Sequence, residues 1–95
     1  MLICLDYDNT YTLDPTFWDA FIVVSKSSGH SVILATMRYP SEGDTVRYDL
    51  EGKVDDIIFT SRKGKRQYLK KLQIFPDVWI DDMPEFVVYD AVTAI

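Results

Sequence analysis

Four short runs of apolar residues recur along the chain, Leu2-Ile3-Cys4-Leu5, Val32-Ile33-Leu34-Ala35, Ile57-Ile58-Phe59 and Val78-Trp79-Ile80, with amphipathic stretches between them. Runs that are apolar at every position, not at every second one, predict strands covered on both faces, as in a parallel sheet between two layers of helices. Asp14 and Pro15 supply an N-cap and a first-turn proline for a helix through about Ser28, with Phe17, Trp18, Phe21, Ile22 and Val24 as its buried stripe and Gly29 as its stop. Ser41 with Asp44 three residues on resembles a capping box, and Val46 and Leu50 predict a short helix ended by Gly52. A third helix is expected from about Gly64 to Gln73, with Tyr68, Leu69 and Leu72 inward and Lys65 among the basic residues around it. In the tail, Pro84 fits the start of one helical turn and Phe86 to Tyr89 a short fifth strand. The order β-α-β-α-β-α-β predicts an α/β fold, a three-layer, Rossmann-like parallel sheet of four to five strands flanked by helices, with all 95 residues in one domain.

Each strand run finishes at or near a polar group: Asp6 and Asp8 after the first, Thr36 after the second, the region of Lys63 after the third, Asp81 and Asp82 after the fourth. Strands joined by single right-handed helical crossovers run parallel, so their carboxyl ends share one edge, where open α/β sheets bind ligands. Four carboxylates on that edge would repel one another unless a cation or hydrogen-bond donors compensate them. Oxygen-only ligands select a hard ion, and carboxylates with water and phosphate are the usual surroundings of Mg²⁺. A nearby lysine and hydroxyl complete a pocket suited to a phosphate.

Composition narrows this picture. The chain is 47% hydrophobic and 26% charged, an ordinary globular mixture, and its 15 acidic residues outnumber 10 basic ones for a net charge of -5. That balance opposes a general binder of nucleic acid or anionic membrane. One cysteine, Cys4, excludes an intrachain disulfide framework and is expected in the core, while the absence of a long apolar run points to a cytoplasmic protein with no membrane partner. His30 beside Gly29 reads as a turn residue, and Tyr7, Met37 and Tyr39 as residues at the pocket mouth.

The motifs, taken in order, resemble those of the haloacid dehalogenase superfamily, mostly Mg²⁺-dependent phosphatases. Asp6-Tyr7-Asp8-Asn9-Thr10 is similar to its DxDx[TV] first motif, the strand ending in Thr36 to its second, Lys63 to its third-motif lysine and Asp81-Asp82 to its fourth. The resemblance covers residues 2 to about 86 and implies a phosphomonoester hydrolase in which Asp6 is the nucleophile that forms an aspartyl-phosphate and Asp8 the general acid and base. It implies Mg²⁺ bound by Asp6, by Asp8 through its carbonyl, and by one or other of Asp81 and Asp82, with Asp82 the preferred ligand. The transferring phosphate would be held by Asn9, Thr10, Thr36, Met37, Arg38 and Lys63, Lys65 being the competitor for the lysine role. Asn9 stands where the motif more often has Gly, and Asn tolerates a left-handed turn. Neither the stretch from Thr10 to Thr36 nor that from Thr36 to Lys63 has room for the cap domain that many members insert. The site is therefore expected to be open, taking a phosphorylated small molecule or macromolecular end, or to be covered by a second copy in a homo-oligomer. Residues 57–63 and 79–82 also look like the 5'-nucleotidase branch. Two other functions share the sheet-edge acids: a phospho-acceptor resembling a receiver domain, and a catalytically idle binding module.

Overall fold

A computed structural model of the chain describes residues 1–91, and the end of the tail, 92–95, lies outside the described residues. Strands β1 (Leu2–Leu5), β2 (Ser31–Thr36), β3 (Asp56–Phe59) and β4 (Val78–Ile80) alternate with helices α1 (Pro15–Ser27), α2 (Asp44–Leu50) and α3 (Lys65–Lys71), and a last short helix α4 (Glu85–Val88) comes after β4. The strands form one sheet in the order β3-β2-β1-β4, and every pairing is parallel. The architecture is the expected Rossmann-like one, with four strands among the described residues. The segment from Phe86, where a fifth strand was an alternative, is α4 instead, because Pro84 and Glu85 start a turn that closes when Val87 N–H donates to the Pro84 carbonyl at 3.0 Å.

Alternation along the strands divides the core. Ile3, Leu5, Val32 and Leu34 face one side with Ile22, Val46 and Leu50 from α1 and α2. Cys4, Ile33, Ala35 and Ile58 face the other with Leu69 of α3. Both faces are covered, which is why the apolar runs carry no polar position inside them.

Local signals place α1 as expected: Asp14 accepts from Phe17 N–H at 3.2 Å, Pro15 opens the helix, and Gly29 comes after it at φ 88°. Its stripe is rotated from the expectation. Trp18, Phe21, Ile22 and Ser25 pack inward, whereas Phe17 and Val24 are 56% and 63% exposed. Residues 18, 21, 22 and 25 keep the three-and-four spacing of one helix face, and 17 and 24 fall beyond its edge. The small Ser25, not part of the expected stripe, is buried on this face.

The Ser41–Asp44 capping box does not form. Pro40–Glu42 is a tight helical turn in which Tyr39 N–H donates to the Glu42 carboxylate at 2.7 Å, so α2 starts after Gly43. Gly43 has a packing reason, since a Cβ there would run into the Phe59 ring. In α3, Leu69 is buried as expected, but Leu72 lies just past the last helical residue and is 53% exposed. Lys65, expected outside, is buried. It lies four residues before Leu69, and positions four apart share a helix face.

Candidate metal centre

The site is built by strand register. Leu5 pairs with Ile80 and Leu34, so the next residues out, Asp6 and Asp81, leave the sheet side by side although 75 positions separate them. Asp6 N–H donates to the Ile80 carbonyl at 3.0 Å and carries the pairing one residue further. The turn after β1 brings Asn9 into the left-handed region, at φ 59°, and its N–H donates to Thr12 Oγ1 at 2.9 Å. That turn returns the buried Thr10 toward Asp6.

Carboxylate oxygens of Asp6, Asp81 and Asp82 gather within 4.8 Å of one another. Lys65 Nζ donates to Asp6 Oδ1 at 2.6 Å and Asp81 Oδ2 at 2.5 Å, all three side chains being at least nine-tenths buried. The Thr10 hydroxyl lies 3.1 Å from Asp6 Oδ2 and 3.4 Å from Asp82 Oδ1, within reach of either acceptor. Met83 N–H donates to Asp81 Oδ1 at 2.9 Å. Burial pushes the Asp6 carboxyl up to about 7; the Lys65 ammonium acts against that rise, and Asp81 and Asp82 add to it. For Lys65, burial alone works downward, but Asp6 and Asp81 more than offset it and the ammonium is held above its ordinary value.

These residues fit a divalent ion. With Asp6 ionised, three carboxylates against one ammonium leave two negative charges in excess, and all the acidic donors are hard oxygens, the type that holds Mg²⁺ or a similar cation. Asp81 and Asp82 both belong to the group that could hold an ion.

Other expected residues fall elsewhere. Lys63, the expected phosphate-binding lysine, is a surface residue, its side chain 65% exposed and its Nζ 3.9 Å from Asp90, and the ammonium at the acids is that of Lys65. The reason is local: Ser61 and Arg62 both adopt left-handed backbone, at φ 53° and 69°, which turns Lys63 outward before α3 begins. Asp8 lines the same cleft as Asp6 but is bonded by Arg38, with Nε 3.0 Å from Oδ2 and Nη2 2.7 Å from Oδ1. Arg38 in turn donates to the Glu42 carbonyl and Thr45 and lies 5.1 Å over the Tyr7 ring, so its donors serve protein groups, not an open phosphate cradle. Thr36 is fully buried, with its hydroxyl accepting from Arg38 N–H at 3.3 Å. Asn9 and Met37 line the cleft. Tyr7 is buried with its hydroxyl donating to Asp49, and Tyr39 lies beneath the Arg62 guanidinium, so neither stands at the cleft.

Two lining residues, Met83 and Phe86, were not anticipated. The Pro84 turn signal was the available clue, since a turn there brings the chain beyond Asp82 back over the edge.

Comparison with protein-family models, with curated proteins and with solved structures finds no match. The fold and the site define an α/β domain with an all-parallel, Rossmann-like sheet and a partly buried aspartate group able to hold a metal ion. No helix among the described residues is long and apolar enough to cross a membrane.

Proposed function

We propose that the protein is a Mg²⁺-dependent phosphomonoester hydrolase acting through an aspartyl-phosphate on Asp6. The observation that carries this reading is the meeting of Asp6, Asp81 and Asp82 oxygens within 4.8 Å, with the buried Lys65 ammonium on Asp6 and Asp81. A phosphate dianion brought to such an edge needs positive charge, and Mg²⁺ held by Asp6, Asp81 and Asp82 would supply it as a Lewis acid. Lys65 takes the place first expected of Lys63 and offsets charge on the transferring group.

In this mechanism an Asp6 carboxylate oxygen attacks phosphorus while the bond to the leaving oxygen breaks, and a protonated Asp8 gives that oxygen its proton. Water then attacks the phosphoryl group as Asp8 takes a proton from it, the bond to Asp6 breaks, and inorganic phosphate leaves. Thr10, already hydrogen bonded to Asp6, orients the nucleophile. For Asp8 to take part, it must exchange at least one of its two bonds from Arg38. The test is Mg²⁺-dependent phosphate release from a generic aryl phosphate by the native chain and Asp6→Asn. Absent turnover, or turnover unaffected by the substitution, would refute the reading.

The Arg38 clasp favours a second reading, a phospho-acceptor that keeps its phosphoryl group. With both Asp8 oxygens engaged, the Asp8 carboxylate is not free to activate water. A small phosphodonor separates the two: one stable phosphoryl group per chain supports the acceptor, and many phosphates released per chain support the hydrolase.

A further inference from the structure

The cleft at the sheet edge has two unlike parts. Asp6, Asp8, Asn9, Lys65, Asp81 and Asp82 supply the polar part, yet more of the open lining is carbon than oxygen or nitrogen, because Met37, Met83 and Phe86 also face it. Asn9 is the one uncharged polar residue of that lining, and it offers little to a sugar with several hydroxyls.

The apolar part is held in place. Met37 is buried, and its carbonyl accepts from Arg62 N–H at 2.9 Å and Arg62 Nη1 at 2.6 Å. Met83 N–H is bonded by Asp81 itself, Phe86 N–H donates to the Met83 carbonyl at 2.9 Å, and the neighbouring Val87 is buried. One carboxylate thus ties the apolar wall to the metal-binding group. The cleft measures about 290 Å³, near the lower end of roughly 300 to 1,000 Å³ for sites that take drug-sized molecules. A phosphoryl group with one ring can be accommodated in such a space.

We propose that the site selects phosphomonoesters with a compact aromatic leaving group, the phosphoryl oxygens lying at Lys65 and the aspartates and the ring against Met37, Met83 and Phe86. Two thioethers and a phenyl ring are polarizable surfaces that favour aromatic contact. This inference rests on the hydrolase reading for its chemistry but concerns what the cleft binds, so binding and turnover are measured separately.

Phenylphosphonate, methylphosphonate and 2,3-dihydroxypropylphosphonate, none of them hydrolysable, are titrated calorimetrically into the full chain with Mg²⁺. Phenylphosphonate is expected to bind about tenfold tighter than the other two, the effect of removing one ring from water in a partly open cleft. Phe86→Ala is expected to bring that ratio to within about threefold and Phe86→Leu to retain part of it, while methylphosphonate affinity stays unchanged in both. Met83→Gln, at an exposed position, gives the same direction if the Phe86 variants fail to fold. Equal binding of the three ligands, or an unchanged ratio in the variants, would overturn the inference even if the native chain releases phosphate from esters. Selective phenylphosphonate binding without turnover of any ester would sustain it and remove the hydrolase reading alone.

Discussion

Two charged groups stand at the same sheet edge and differ in what they leave over. Around β1 and β4, the Lys65 ammonium meets Asp6 and Asp81 with side chains only 4%, 9% and 5% exposed, and Asp82 adds further negative charge. Beyond β2, Arg38 and Asp8 pair one to one, at 26% and 28% exposure, with the remaining guanidinium donors on Glu42 and Thr45. The second group is balanced and complete. The first is buried at Lys65, Asp6 and Asp81, exposed at Asp82, and unbalanced, and burial without balance is what a ligand can repair. A chemical site is therefore recognised here by the charge it lacks more than by the number of its acids.

Breaking the unbalanced group should have the largest consequence. If the proposed hydrolase mechanism holds, Asp6→Asn is expected to lower phosphate release by at least about 1,000-fold by removing its nucleophile, and to weaken Mg²⁺ binding in a titration. Lys65→Met should cost about 3 kcal/mol in metal-free denaturant unfolding, the usual scale for deleting one partner of a buried pair. Native-like stability of that variant would show that Asp6 and Asp81 tolerate burial without the lysine.

The pH dependence sharpens the same contrast. The Asp6 carboxyl is raised to about 7 in the metal-free fold. Between the ordinary aspartate range near 4 and about 7, the folded chain keeps a proton that the unfolded chain has lost, so its stability from this group falls as pH rises through that window. In chelator, native protein should lose more stability from about pH 4.5 to about 7.5 than Asp6→Asn, and excess Mg²⁺ should reduce the loss at the upper end. Identical slopes for the two proteins would contradict a buried, proton-holding Asp6.

The balanced pair should respond less. Arg38→Gln is expected to cost about 1 kcal/mol or less in unfolding, because the pair is part exposed and water can replace it. It should also change the release of phosphate from Asp6 more than its attachment, as measured by rapid quench, if the clasp governs Asp8. Lys63→Ala should be smallest of all, within about 0.5 kcal/mol and with activity retained, in keeping with its exposure. Loss of activity in Lys63→Ala with Lys65 intact would return the lysine role to Lys63.

Much of the fold was legible because its signals are local. The doubly apolar runs at 2–5, 32–35, 57–59 and 78–80 became paired strands, and Asp14-Pro15 with Gly29 bounded α1. The convergence of Asp6 with Asp81 and Asp82 was also legible, since it comes from parallel strand direction. Side-chain partners were less so. Lys63 and Lys65 are both plausible at the start of a basic helix by spacing alone, and only the two left-handed residues before Lys63, with the shared face of Lys65 and Leu69, decide which points inward. Arg38 looked available for a phosphate because nothing in the chain order announces its 30-residue reach to Asp8. The exposed side of α1 was misjudged for a different reason: every candidate was apolar, so hydrophobicity could not identify the inward face.

Gly64 stands directly before the buried lysine, and a Cβ there would lie 2.7 Å from Gln67 Oε1 and 3.1 Å from the Val88 backbone. Its N–H donates to Asp90 Oδ1 at 2.6 Å, Gln67 bonds the Val88 carbonyl, and Ala91 N–H donates to the Arg62 carbonyl at 2.7 Å. The segment after β4 thus works as a splint for the lysine's own loop. An engineer who trims the chain at Asp82, keeping every acid, would discard the brace that aims Lys65 and should expect a sheet that survives with a misdirected ammonium.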